Sequence, residues 1–141
     1  MSNNTPKPAK TRIVYKVLSY YPVDGEPLSS AWNWQPVGYA VGQTTFPRVG
    51  KLFAFDNLED ARDAYKSLQV RCTPEGFDTG CIYEAEATGV SKISFMALYK
   101  SDIEKFWKQR AHRKIRVKRR PMPKGSVSCA SIKLLKFVEK F

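Results

Sequence analysis

The sequence predicts an α+β fold with a single, mostly antiparallel sheet and two amphipathic helices. β-Branched and aromatic runs of strand length recur along the chain, and two segments carry apolar residues at helical spacing. The strands follow one another in adjacent pairs rather than in strict alternation with helices. This order favours an α+β arrangement over a parallel α/β sheet.

The predicted strands are rich in Val, Ile, Leu, Tyr and Phe, and they cover residues 12–18, 37–41, 51–55, 81–87, 93–99 and 131–138. Another strand is predicted over 114–118, where basic residues alternate with Ile115 and Val117, because a period of two is typical of a half-buried strand. Gly, Pro, Ser and Asn mark the predicted loops and turns at residues 22–36, 73–80 and 121–125.

The first helix is predicted over residues 58–68. Asn57 is suited to the N-cap position because its side chain can accept hydrogen bonds from the free N–H groups of the first turn. One apolar stripe follows at helical spacing, formed by Leu58, Ala61, Tyr65 and Leu68. We therefore expect this helix to pack on the sheet.

The second helix is predicted over residues 102–113. Ser101 and Glu104 have the spacing of a capping box, in which each side chain satisfies a backbone donor of the first turn. The apolar face of this helix is predicted to contain Ile103, Phe106, Trp107 and Ala111.

The length of 141 residues indicates a single domain over residues 11–141, preceded by a flexible arm over residues 1–10. The arm lacks the apolar core of a signal peptide, and no run of about 18 apolar residues predicts a membrane span. Three cysteines without a secretion signal are typical of a reducing compartment. The spacing of Cys72 and Cys81 leaves open whether they pair across a turn.

Charge is distributed unevenly along the chain. Residues 100–141 contain 14 Lys and Arg and 3 Asp and Glu, which gives 14 − 3 = +11, whereas residues 1–99 contain ten of each. The whole formal net charge of +11 therefore lies in the C-terminal third. Such a concentration of like charge indicates a polyanionic partner, because the repulsion is costly unless something offsets it.

The predicted binding residues are the cations of one stretch that contains no acidic residue. They are Lys105, Lys108, Arg110, Arg113, Lys114, Arg116, Lys118, Arg119, Arg120 and Lys124. Clustered cations bind phosphate backbones because each neutralised phosphate releases counterions. We expect a sequence-nonspecific complex with RNA or DNA; an acidic protein is the alternative partner, and a solvated basic surface is the alternative interpretation.

Trp32 and Trp34 lie in the predicted loop over residues 22–36. Aromatic side chains can stack on unpaired bases or anchor a partner protein. Tryptophans near a small sheet also commonly cover its edge or its core. The sequence leaves these three roles open.

The sequence predicts no catalytic residue, metal site or cofactor. Glu84 and Glu86 are similar to the Glu-x-Glu pair of ADP-ribosyltransferases, but no accompanying Arg or His and Ser-Thr-Ser set is present, so we expect a polar sheet face. His112 is the single histidine, and three scattered cysteines do not complete a zinc site with it.

Several blocks together resemble a loose group of small, mostly uncharacterised proteins of phages and large DNA viruses. They are Val14-Tyr-Lys-Val17, Tyr39-Ala-Val-Gly42, Leu52-Phe-Ala-Phe55 with Leu58 and Ala61, Ile82-Tyr-Glu-Ala-Glu86, and Pro123-Lys-Gly-Ser-Val127 leading to Ile132-Lys-Leu-Leu-Lys136. The resemblance implies a viral accessory protein and transfers no functional residue. With the charge pattern, it predicts a non-enzymatic protein that binds nucleic acid or an assembly containing it, in the host cytoplasm or the virion. The alternatives are a module that binds a host or virion protein and, less favoured, a degenerate ADP-ribosyltransferase.

Overall fold

Antiparallel β-strands dominate the fold. A computed structural model of the chain describes residues 10–19, 28–30, 37–72, 80–97, 102–111 and 118–140. The strands within these residues are β1 (Thr11–Ser19), β2 (Leu28–Ser30), β3 (Gly38–Tyr39), β4 (Thr44–Thr45), β5 (Leu52–Phe55), β6 (Gly80–Thr88), β7 (Ser91–Lys92), β8 (Phe95–Ala97), β9 (Arg119–Pro121), β10 (Ser126–Cys129) and β11 (Ser131–Lys140). The helices are α1 (Leu58–Cys72) and α2 (Ile103–Ala111).

The main sheet has nine strands, with the order β4-β11-β6-β1-β5-β10-β7 and with β2 and β3 joined to it through β1. β1 and β6 pair along their whole length, from Thr11 opposite Thr88 to Ser19 opposite Gly80. On its other side β1 pairs with β5 at Tyr15 and with β2 at Leu18 and Ser19. β1 is therefore the strand at which the sheet branches.

The sheet curls back on itself at the β3–β4 turn. The Gln43 N–H donates a hydrogen bond to the Ala40 carbonyl (3.1 Å), and the Thr45 hydroxyl donates to the Gly38 carbonyl (3.0 Å). β4 pairs with β11, and β3 pairs with β2. The strand path from β3 through β2, β1, β6 and β11 to β4 thus returns to its start and encloses one face of the sheet.

The enclosed face forms the larger apolar cluster. Alternation along β1 places Val14 and Leu18 on this face. They pack with Tyr39 and with Ile132 and Leu134 of β11. These side chains are almost fully buried, so the inside of the curled sheet is a packed core.

α1 covers the opposite face. The Asn57 side chain accepts a hydrogen bond from the Asp60 N–H (2.8 Å), which confirms the predicted N-cap. Ala61 and Tyr65 are fully buried against a second cluster that contains Val17 and Ile82. The predicted helix over residues 58–68 is confirmed, and it continues to Cys72.

α2 packs on a separate two-stranded sheet formed by β8 and β9. Ile103 and Phe106 are buried with Met96, and the ring of Trp107 stacks on Phe53 of β5 at a centroid distance of 5.9 Å. The prediction of one sheet is therefore wrong: α2 packs on a small second sheet and reaches the main one through Trp107.

The strands predicted over residues 12–18, 51–55, 81–87 and 131–138 are confirmed, with bounds that differ by up to two residues. The strand predicted over 37–41 is shorter, at Gly38–Tyr39. The strand predicted over 93–99 begins two residues later, at Phe95, and residues 98–99 lie outside the described residues. The first nine residues, most of the predicted loops over 22–36 and 73–80, and residues 114–117 lie outside the described residues.

Several predictions of irregular structure are wrong. The loop predicted over residues 22–36 contains β2, and Pro121 ends β9 rather than beginning a turn. No sequence pattern predicted β10, because its serines have low strand preference. The strand nevertheless pairs with both β5 and β7. In each case tertiary pairing outweighs local preference. No helix in the described part of the chain is long and apolar enough to cross a membrane.

Candidate functional site

The predicted binding cations fall on two neighbouring parts of the fold. Lys105, Lys108 and Arg110 belong to α2. Lys118, Arg119, Arg120 and Lys124 lie on β9 or directly beside it. The remaining members, Arg113, Lys114 and Arg116, lie outside the described residues, as do His112, Trp32 and Trp34.

Lys105 and Lys108 of α2 are exposed because the helix buries its other face. Ile103 and Phe106 are three residues apart and pack inward, whereas Lys105 and Lys108, with the same spacing, point to solvent. Helical periodicity thus separates the apolar anchor from two charges on one surface.

β9 places its two arginines differently. Arg119 lies opposite Ala97 and Arg120 opposite Met96, and successive strand residues point to opposite faces. Arg119 is exposed, whereas Arg120 is half-buried and interacts with neighbouring protein groups. Of the two, Arg119 is the side chain available to a partner.

Lys124 lies in a tight turn that packs against the start of α1. The Ser126 N–H and hydroxyl both donate to the Pro123 carbonyl (3.2 and 2.6 Å), and the Asp56 N–H donates to the Gly125 carbonyl (2.8 Å). Gly125 has a φ of 82°, and a Cβ atom there would lie 2.3 Å from Asp60 Oδ2. Glycine is needed for both reasons, and the turn holds Lys124 in a defined place.

An open groove of about 490 Å³ lies between this turn, β7 and the beginning of α1. Its charged lining residues come from distant parts of the sequence and are Arg12, Asp56, Asp60, Lys92 and Lys124. Apolar lining comes from Ile93, Met122, Pro123 and Val127. The fold thus brings Lys92 and Arg12, which precede the basic stretch by many residues, beside Lys124.

The acidic residues of the groove are engaged by other groups. Asp56 forms an ion pair with Arg12. Asp60 accepts a hydrogen bond from the Asn57 side-chain amide (2.7 Å). Within the described residues, Lys92 and Lys124 form no ion pair with a carboxylate, although the Asp60 carboxylate lines the same groove.

Glu84 and Glu86 lie on neighbouring outward positions of β6. In the register with β11, Glu84 is opposite Lys136 and Glu86 is opposite Lys133. Opposite charges facing each other across antiparallel strands stabilise a sheet by about 0.2–1 kcal/mol. In this register the two carboxylates form part of a charged sheet face.

A polar cluster lies inside the curled sheet. The Lys16 side chain is 4% exposed, its Nζ donates to the Phe53 carbonyl (2.5 Å), and it lies 5.1 Å from the centroid of the Tyr39 ring. Burial lowers the pKa of Lys16 to about 8, although the neighbouring Cys129 opposes this shift. Burial raises the pKa of Tyr39, and Cys129 adds to that rise.

Cys129 is inert as a nucleophile in this setting. Burial raises its pKa to about 11, against the opposing influence of Lys16, Lys51 and Arg12, so the thiol stays protonated at neutral pH. Cys81 is also buried in the larger apolar cluster. Among the described residues, no group of three or more His, Cys, Asp or Glu side chains could hold a metal ion.

Two lysines that the fold makes informative, Lys16 and Lys92, are not among the residues predicted from sequence. Lys16 carried a readable signal, because strand alternation puts it on the same face as Val14 and Leu18. Lys92 carried none, because pairing of Lys92 with Val127 brings together residues that are far apart in the chain.

Comparisons with protein-family models, with curated proteins and with solved structures gave no match for this chain. The functional assignment therefore depends on the charge, exposure and placement of the chain's own residues.

Proposed function

We propose that the protein binds nucleic acid, or an assembly that contains it, through the basic surface formed by α2 and residues 118–124. The observation that carries the proposal is the segregation of the formal net charge of +11 into residues 100–141. A concentrated positive surface attracts phosphate backbones by counterion release and by long-range attraction.

The described geometry supports this proposal in two ways. Lys105, Lys108, Lys118, Arg119 and Lys124 are all exposed. Within the described residues, none of these five forms an ion pair with a carboxylate, whereas Arg12 and Arg62 each do. The surface cations therefore keep charge that a partner can neutralise.

In this proposal α2 acts as an amphipathic helix. It buries Ile103 and Phe106 against the small sheet and presents Lys105 and Lys108 to the partner. Point charges on flexible stems contact phosphates in many registers. We therefore expect binding that is nearly independent of base sequence, since phosphate contacts carry no sequence information.

The proposal is non-enzymatic and assigns no cofactor. The resemblance to small proteins of phages and large DNA viruses supports an accessory role in the host cytoplasm or in the virion. An acidic protein is the competing partner for the same surface, because it also presents carboxylates to lysine and arginine.

The test compares the wild type with a Lys118→Ser, Arg119→Ser, Lys124→Ser triple variant. Binding of random-sequence single-stranded RNA and duplex DNA is measured by fluorescence anisotropy at roughly 0.1 M salt. We expect the wild type to bind both, and the triple variant to bind at least about tenfold more weakly. A Lys133→Ser, Lys136→Ser variant, altered on β11, is the control for loss of positive charge outside the surface.

Two results would overturn the proposal. One is a wild type that binds neither RNA nor DNA under these conditions. That result would favour an acidic protein as the partner of this surface. The other is equal weakening by the triple variant and by the β11 control, which would show that net charge alone, and not this surface, governs association.

A further inference from the structure

The groove between β7, the turn around Lys124 and the start of α1 differs from the rest of the basic surface because it combines charge with an apolar lining. Within the described part of the chain, Lys92 and Lys124 supply two positive charges against the single unpaired carboxylate of Asp60, and neither lysine forms an ion pair with a carboxylate. Met122 and Pro123 are half-buried, and the buried residues Ile93 and Val127 also line the groove. A surface that contacts only phosphates does not need an apolar lining of this kind.

The size of the groove limits what it can hold. A volume of about 490 Å³ lies within the roughly 300–1,000 Å³ of pockets that bind small organic groups. It is large enough for one nucleotide and too small for a stretch of double helix. A nucleotide can therefore enter the groove only if it leaves the stack that it forms with its neighbours.

Single-stranded and double-stranded nucleic acids differ in the groups that they offer to this groove. In a duplex the base faces are stacked and only phosphates and sugars point outward. In a single strand a base can leave the stack, so that its apolar face and its phosphate are offered together. The pairing of two lysines with an apolar floor matches the second case.

We propose that this groove holds one unstacked nucleotide of single-stranded nucleic acid, with its phosphate at Lys92 and Lys124 and its base or sugar against Met122 and Pro123. The inference rests on the proposed nucleic-acid binding and adds a preference for single strands. Apolar contact with a base face discriminates little between bases, so this preference is compatible with binding that ignores sequence.

The turn geometry explains why the site is preformed. Gly125 packs against Asp60, and the Met122 N–H donates to the Ser94 carbonyl (2.9 Å), so both ends of the turn are fixed to neighbouring elements. Pairing of Lys92 with Val127 fixes the opposite wall. A preformed site binds without a cost of ordering its own backbone.

The experiment uses Lys92→Ser, because Lys92 is exposed, lies on an edge strand and belongs to no part of the basic stretch. Lys136→Ser is the matched control, since it removes the same charge from an exposed position on β11. Affinities for a single-stranded oligonucleotide and for a duplex of the same sequence are measured at about 0.2 M salt, where nonspecific attraction is weakened. Circular dichroism confirms that both variants keep the fold.

We expect Lys92→Ser to weaken single-strand binding by about fivefold to tenfold, as for the loss of a charge-assisted hydrogen bond. Duplex binding by this variant, and both affinities of Lys136→Ser, should change by less than about threefold, as for an exposed charge. Chemical shifts of the Lys92 and Gly125 amides should also move when a tetranucleotide is added to the wild type.

The outcomes separate this inference from the proposed function. If the wild type binds both nucleic acids and Lys92→Ser behaves as Lys136→Ser does, the groove inference is overturned while the proposed function stands. Equal weakening of single-strand and duplex binding by Lys92→Ser overturns it as well. If the wild type binds neither, the proposed function fails and the groove inference fails with it.

Discussion

Two parts of the molecule treat positive charge in opposite ways. Lys16 lies inside the curled sheet, where burial lowers its pKa to about 8 and its Nζ bonds to a backbone carbonyl. Lys105, Lys108 and Lys124 are exposed on α2 and the turn after β9. The same residue type is therefore prepared to lose its charge in one region and to keep it in the other.

The difference shows that buried and exposed charges have to be counted separately before the net charge can indicate a partner. Lys16 cannot contact a surface partner because it is buried, and its pKa of about 8 lets it lose its charge at mildly alkaline pH. An exposed lysine keeps its full charge but gives little stability to the fold. The functional prediction therefore depends on the second group, and the stability of the sheet depends on how it accommodates the first.

The largest expected effect concerns the packing of α2, the helix that presents Lys105 and Lys108. Phe106 is 3% exposed and anchors α2, so Phe106→Ala should lower the free energy of unfolding by about 3–5 kcal/mol. Phe46 is 67% exposed, and Phe46→Ala is the matched control, with an expected loss below about 1 kcal/mol. Denaturant unfolding measures both, and equal losses would show that α2 is not packed as described.

An intermediate effect concerns the interior. The pKa of Lys16 is about 8 in the fold and has an ordinary value of 10.5, so between these values the unfolded chain binds one more proton than the fold. The free energy of unfolding should therefore rise with pH through this window. Cys129, whose pKa is raised from 9.0 to about 11, gives the opposite slope above pH 9.

The contribution of Lys16 to the free energy of unfolding is thus best measured below about pH 9, where Cys129 opposes it least. Between about pH 7 and about pH 9, Lys16 should add about 1 kcal/mol to the free energy of unfolding, and Lys16→Met should remove that rise. Lys66→Met, at an exposed position of α1, should leave it in place. A Lys16→Met protein with the wild-type pH dependence would contradict a desolvated Lys16.

The smallest expected effect concerns the acidic pair on β6. Glu86→Gln should lower the free energy of unfolding by less than about 1 kcal/mol, because it removes one cross-strand partner of Lys133. A double-mutant cycle with Lys133→Met measures the coupling between the two. Loss of a nucleotide-dependent activity in a folded Glu86→Gln protein would instead assign the carboxylate a chemical role.

The sequence was sufficient for the elements whose pattern is local. The stripe from Leu58 to Tyr65 and the run of β-branched residues in β1 were readable because their periods belong to the elements themselves. β10 was not, because its serines become strand through pairing with β5 and β7. The separate β8–β9 sheet was missed for the same reason: its partners lie more than 20 positions apart in the chain.

The candidate site also has one part that was predictable from the sequence and one part that was not. The clustered cations from Lys105 to Lys124 were identified directly, since consecutive residues of one sign need no fold to be seen. The contribution of Lys92 and the apolar floor of the groove were not predictable, because they arise where β7 meets β10. The sequence therefore led to the proposed class of partner, and tertiary pairing supplied the groove to which a particular ligand is assigned.

The salt dependence of nucleic-acid binding tests the central claim most directly. Five exposed cations contacting phosphates predict a log–log slope of affinity against salt of about −3.5 on single strands and about −4.5 on duplex DNA. The Lys118→Ser, Arg119→Ser, Lys124→Ser variant should flatten these slopes by about 2 and about 2.7, respectively. A wild-type slope near zero, or a triple variant with the wild-type slope, would contradict binding of phosphates by this surface.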